Sequence, residues 1–120
     1  TELVRVIAAR VRTLDLGDVF VDATRFSCPE AALSVEPDIA VVLHTSVAAG
    51  AVRPVAGASG VERELEGPPD LVVEIVSRSS VAKDTVRLFR AYHAAGVKEY
   101  WLVDVRKEPI RFEIWQAGPE

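Results

Sequence analysis

The chain has 120 residues, 49% hydrophobic and 27% charged, with a formal net charge of −4; this suffices for one ordinary core and leaves too little for two, so a single domain over 1–120 is expected. The acidic balance argues against an extended electrostatic grip on nucleic acid and leaves only local basic patches, at Arg5, Arg10 and Arg12 or at Lys83, Arg87 and Arg90. One cysteine, Cys28, excludes an internal disulfide framework and cannot by itself make a zinc site, and no leader or long apolar run is present, so a cytoplasmic protein without a membrane partner is expected.

Leu3, Val4, Ile7, Ala8, Val11 and Leu14 recur at three- and four-residue spacing, which predicts an amphipathic helix over the first fourteen or so residues. That pattern starts at the first residues, as in a chain lacking an N-terminal segment. Asp15-Leu16-Gly17-Asp18 is a stop, and Val19 to Ala23 has the β-branched and aromatic character of a strand, broken by Ser27-Cys28-Pro29-Glu30. Residues 30 to 36 read as a connection or a short strand. Glu36-Pro37-Asp38 then leads into the apolar run Ile39 to Leu43, a buried strand with Asp38 at its entrance. From His44 to Gly67 no period holds until Val61, Arg63 and Leu65 alternate, and a long mobile loop or hairpin is expected there.

Pro68-Pro69-Asp70-Leu71-Val72-Val73-Glu74-Ile75-Val76-Ser77 is apolar on both parities, the mark of a strand covered on both faces. Glu74 sits in its middle. An ionised carboxylate there costs several kcal/mol unless a metal, a cation or hydrogen bonds compensate it, which makes Glu74 the first functional candidate beside the plainer reading of an ion pair with an Arg. Asp70 shares its parity, although a turn residue at the strand entrance explains it as well. Beyond, Ser79 or Ser80 can cap a helix whose packed face is Val86, Leu88, Phe89, Tyr92, His93 and Ala95, whose other stripe is Lys83, Arg87 and Arg90, and which Gly96 ends. Glu99 to Asp104 and Ile110 to Trp115 are two further strands. Helix, two or three strands, helix, two strands is an α/β pattern of mixed pairing.

Neighbouring strands lie about 4.8 Å apart, so Asp38 and Glu74 can share one divalent cation if their strands are adjacent. Oxygen-only coordination by two carboxylates suits Mg²⁺ or Mn²⁺, and such a metal polarises a phosphodiester. Glu36 to Val42, Glu66 to Ser77 and Ala94 to Asp104, in this order, resemble the Uma-type family of putative restriction endonucleases in the PD-(D/E)xK nuclease superfamily. The resemblance implies a restriction-endonuclease-like αβββαβ core with a mixed central sheet flanked by helices. It also implies a Mg²⁺-dependent (or Mn²⁺-dependent) hydrolase acting on DNA phosphodiesters, with Asp38 and Glu74 as the two acids of the motif and a homodimer as a compatible state. The departure is the lysine. The superfamily position two residues after the second acid is Val76, and the family's alternative place, four residues before the tyrosine matching Tyr92, is Leu88.

A basic group nonetheless stays within range. Glu74 lies roughly 10 Å below its strand end, a drop that a returning helix makes in roughly seven residues, reaching Arg87; Lys83 lies one turn nearer the strand end. Arg87 could stabilise a phosphorane but not act as a base, whereas Lys83 could do either. The alternative, that both are surface charges paired with Asp84 or solvent, stays open. The absent lysine and the acidic balance also suit a rival reading, a catalytically inactive nuclease-fold module with a nucleic-acid-binding or regulatory role.

Overall fold

The computed structural model describes residues 2–21, 24–28, 33–35, 37–56, 63–77, 85–106 and 110–116. In chain order the elements are α1 (Glu2–Leu14), β1 (Gly17–Val21), β2 (Arg25–Cys28), β3 (Leu33–Val35), β4 (Ile39–Leu43), α2 (His44–Ala48), β5 (Arg53–Ala56), β6 (Arg63–Glu66), β7 (Leu71–Val76), α3 (Thr85–Ala95), β8 (Glu99–Asp104) and β9 (Arg111–Gln116). The run that is apolar on both parities takes the middle of a five-stranded sheet, β1-β4-β7-β8-β9. Within this sheet only the β7–β8 pair is parallel. A parallel pair needs a crossover, and α3 supplies it. Elements α1, β1, β4, β7, α3 and β8 thus form the expected αβββαβ order, with β9 added at the edge.

Alternation along each strand decides what each face covers. Ile39, Val41, Val73 and Val103 turn to α1 and pack on Ile7 and Val11, while Val72 and Tyr100 turn the other way, onto Tyr92 and Ala95 of α3. Even-numbered residues of β7, and therefore Glu74, face α3. At the β1–β4 seam Gly17 is required: a Cβ there would meet the Val42 carbonyl oxygen at 1.9 Å. Gly96 ends α3 at φ +98°, a conformation that glycine adopts without strain. The proposed caps Ser79 and Ser80 lie outside the described residues.

One open expectation is decided and one is corrected. Residues 44 to 67, read as a long loop or a hairpin, hold α2 and the antiparallel β5–β6 hairpin. Four-residue strands give almost no periodic signal, and tertiary burial stabilises these, with Val52 and Leu65 packed on Phe20, Ala40 and Val42. Ser27 and Cys28 do not interrupt a strand. They belong to β2, whose Phe26 and Cys28 are buried against the Tyr92 cluster, and β2 pairs in parallel with β6 in a second sheet, β3-β2-β6-β5. This sheet packs on the α3 side of the main one, so Glu74 lies beneath both α3 and β2.

Candidate active site

The β4–β7 pairing sets Ile39 against Val73, Ala40 against Val72 and Val41 against Leu71. One step further along the same register, Asp38 opposes Glu74. Directly opposed residues share a face, with Cβ atoms about 4.5–5.5 Å apart, and parity agrees, because Ala40 and Val42 also face away from α1. Pairing with β4 stops at this point, and the Asp38 carboxylate takes over: its Oδ2 accepts from the Ile75 backbone N–H at 2.7 Å. This charge-assisted contact pins the carboxylate to β7 beside Glu74.

Glu74 is 2% exposed. The Tyr92 hydroxyl donates to its Oε2 at 2.5 Å, a bond to a charged acceptor in low-dielectric surroundings and so a strong one. Tyr92 itself is 1% exposed, stacked on Phe26 at 6.1 Å and tilted against Tyr100 at 5.5 Å. Burial, then the Glu74 charge and the hydrogen bond to it, push the Tyr92 hydroxyl far above the ordinary tyrosine range. The Tyr100 hydroxyl is likewise raised, by burial first and then by the charges of Glu74, Glu113 and Asp38. Both phenols therefore keep their protons, and the Tyr92 proton is the one donated to Glu74.

Glu74, Leu102 and Glu113 form one row across β7, β8 and β9, but Glu113 is engaged by Arg111 Nε at 2.6 Å. In the next row Asp104 is held by Arg106, Nη2 to Oδ2 at 2.8 Å. Asp70 lies at the opposite end of β7 from Glu74, roughly 13 Å along the strand. Its oxygens accept from Leu43 N at 2.7 Å and Ser46 Oγ at 2.6 Å, with Lys98 Nζ at 3.5 Å. Asp70 thus ties the end of β4 and the start of α2 to β7, which is the strand-entrance role.

Of the candidates read from the sequence, the fold brings Asp38 and Glu74 together. Arg87 is exposed on α3, about 140° around the helix from Tyr92. Lys83 lies outside the described residues. Leu88, one turn before Tyr92 and on its face, is half-buried against the Tyr92 cluster, and Val76 is buried, so hydrocarbon fills both places where the resemblance sets a lysine. Tyr92 and Tyr100 were legible only as packing residues. The signal that finds them is the buried carboxylate itself, which must have donors. Among the described residues no three His, Cys, Asp or Glu side chains gather as a metal site; two carboxylates meet here, a donor set that fits a hard divalent cation retaining water and substrate oxygens.

A family model described as "Uma2: Putative restriction endonuclease" matches residues 1–116. Among solved structures, one described as a putative nuclease belonging to DUF820, from Anabaena variabilis ATCC 29413, is similar with a TM-score of 0.67 at 22% identity, covering 99% of this chain and 60% of that one. The chain therefore spans 60% of the length of that neighbour. No curated protein matches. No described helix is long and apolar enough to cross a membrane.

Proposed function

The chain belongs to the Uma2 putative restriction endonuclease family, and from that premise we propose a metal-dependent endonuclease hydrolysing DNA phosphodiester bonds in the cytoplasm. The observation that carries this reading is the opposition of Asp38 and Glu74 at the point where β4 and β7 cease to pair, each carboxylate fixed by a donor of its own. Asp38 and Glu74 would hold Mg²⁺ or Mn²⁺, which when bound supplies Lewis-acid polarisation of the phosphodiester and lowers the pKa of the attacking water. The chain does the rest. Ile75 N–H and the Tyr92 hydroxyl orient the two carboxylates before any ligand arrives, so no reorganisation is left for the reaction itself. Lys83 is the cation assigned to the developing phosphorane charge; Arg87, exposed on the side of α3 away from Tyr92, would contribute there only as a distant fixed charge, since it does not deprotonate. DNA is the partner, and a homodimer is compatible with the site.

A second reading rests on Leu88. A half-buried leucine at the family's lysine position removes a general base or charge stabiliser and favours a module that binds nucleic acid without turnover. Cleavage assays on duplex and single-stranded DNA with Mg²⁺ or Mn²⁺, beside Asp38→Ala, separate the two. The endonuclease reading expects metal-dependent cleavage that Asp38→Ala abolishes. DNA binding without cleavage on any substrate decides for the module.

A further inference from the structure

Among the described residues, one buried side-chain oxygen has no hydrogen-bond partner: the hydroxyl of Tyr100, a residue 3% exposed. Leaving such a donor unsatisfied costs about 1–3 kcal/mol, a cost that calls for an explanation in what the group contacts when the protein works. Its position supplies one. Tyr100 stands opposite Val72 on β8 and therefore on the face of Glu74, one pair back from the row Glu74–Leu102. Its ring lies against Tyr92 at 5.5 Å, and the charges of Glu74 and Asp38 both reach its hydroxyl. Tyr92 has spent its one proton on Glu74. Two adjacent phenols thus border the acid pair, one engaged and one not.

We propose that Tyr100 is a ligand-contacting residue of the Asp38–Glu74 centre, its hydroxyl donating to an oxygen of the ligand held there, either water of a hydrated Mg²⁺ or Mn²⁺ or a phosphate oxygen of DNA. The inference rests on the reading of the acid pair as a cation site. A single water is the competing partner for the hydroxyl. A cavity of about 10 Å³ borders both rings, close to the smallest volume that admits one water, and a permanent water there would satisfy the hydroxyl structurally.

Calorimetric titration of the whole chain with Mn²⁺, alone and with duplex DNA, tests this on the parent, Tyr100→Phe, Tyr92→Phe and Asp38→Ala, with urea midpoints in metal-free buffer alongside. Tyr100→Phe is expected to weaken Mn²⁺ binding about tenfold, as loss of an outer-shell hydrogen bond does, while its metal-free midpoint stays at or above that of the parent. A loss with Mn²⁺ alone identifies the oxygen as water; a loss confined to the samples with DNA identifies it as phosphate. Unchanged binding in both arms, beside a parent that binds and an Asp38→Ala that does not, overturns the role of Tyr100 and leaves the cation site standing. A metal-free midpoint lowered as far as in Tyr92→Phe also overturns it, since the hydroxyl then has a structural partner. A parent that binds no more Mn²⁺ than Asp38→Ala overturns the cation site and the Tyr100 role together.

Discussion

Raising the pH above the ordinary tyrosine range should unfold this protein through the two residues that border the acid pair. The chain contains two tyrosines, Tyr92 and Tyr100, both buried and both with hydroxyl pKa values raised, by burial first and by the Glu74 charge next. In the unfolded chain a tyrosine releases its proton near pH 10; in the folded one neither does. The unfolded state therefore binds fewer protons above that pH, and the stability these groups contribute is complete below about pH 10 and lost as the pH rises beyond it. Each group costs about 1.4 kcal/mol per pH unit, so the pair costs about 2.7 kcal/mol per unit. Against a total of about 5–15 kcal/mol for a domain, a fold at the lower end of that range is exhausted within about two units. Tyrosinate absorbance and far-ultraviolet circular dichroism, followed together during an alkaline titration, read the outcome: the tyrosinate signal should appear in step with loss of structure, and Tyr92→Phe should halve the dependence of the urea midpoint on pH. Tyrosinate forming gradually near pH 10 in a protein with intact dichroism would refute the burial and the Glu74 coupling on which the site is built.

Three further outcomes follow from particular contacts. Asp70→Ala removes the acceptor of Leu43 N and Ser46 Oγ and should cost about 2–4 kcal/mol by urea denaturation, with Mn²⁺ affinity of the folded protein unchanged; a parallel loss of affinity would place Asp70 in the site after all. Gly17→Ala drives a Cβ into the Val42 carbonyl and should lower stability by about 1–3 kcal/mol, whereas an unchanged midpoint would mean that the β1–β4 seam is looser than described. Leu88→Lys sets an ammonium one turn from Tyr92, at about 1–3 kcal/mol of stability, and should raise the rate of metal-dependent DNA cleavage; the same rate in folded protein would show that no lysine is needed at this place.

How much of this was legible in the sequence depended on the range of the interaction concerned. The main-sheet strands and both long helices could be read because each carries its own period: α1 through Ile7 and Val11, β7 through apolar residues on both parities. The second sheet was legible only as open alternatives, a short strand within 30 to 36 and a hairpin within 44 to 67, and its β2 was missed. Its four-residue strands hold few alternations, and what fixes them is burial of Phe26 under Tyr92 and of Val52 and Leu65 under Phe20, partners far away in sequence. Asp38 and Glu74 were found because a carboxylate amid β-branched residues contradicts its surroundings. Their donors were hidden for the opposite reason: a tyrosine on a packed helix face fits the pattern perfectly, and only the fold shows where its hydroxyl goes.

The register explains why those two carboxylates, and not Asp70, occupy the candidate centre. All three acids lie at or beside β7, and Asp70 is as buried as a structural acid needs to be. Asp38 and Asp70 each stand one step beyond the paired residues, at opposite ends of the β4–β7 ladder, and at the Asp70 end Leu43 N and Ser46 Oγ consume its oxygens within the protein. At the Asp38 end β4 has only begun. At such a point the backbone of β7 has lost its neighbour on one side, so a side chain must satisfy Ile75 N–H, and Asp38 does so. The residue that keeps β4 from extending further is Pro37, which cannot donate to a ladder and stands one step before Asp38.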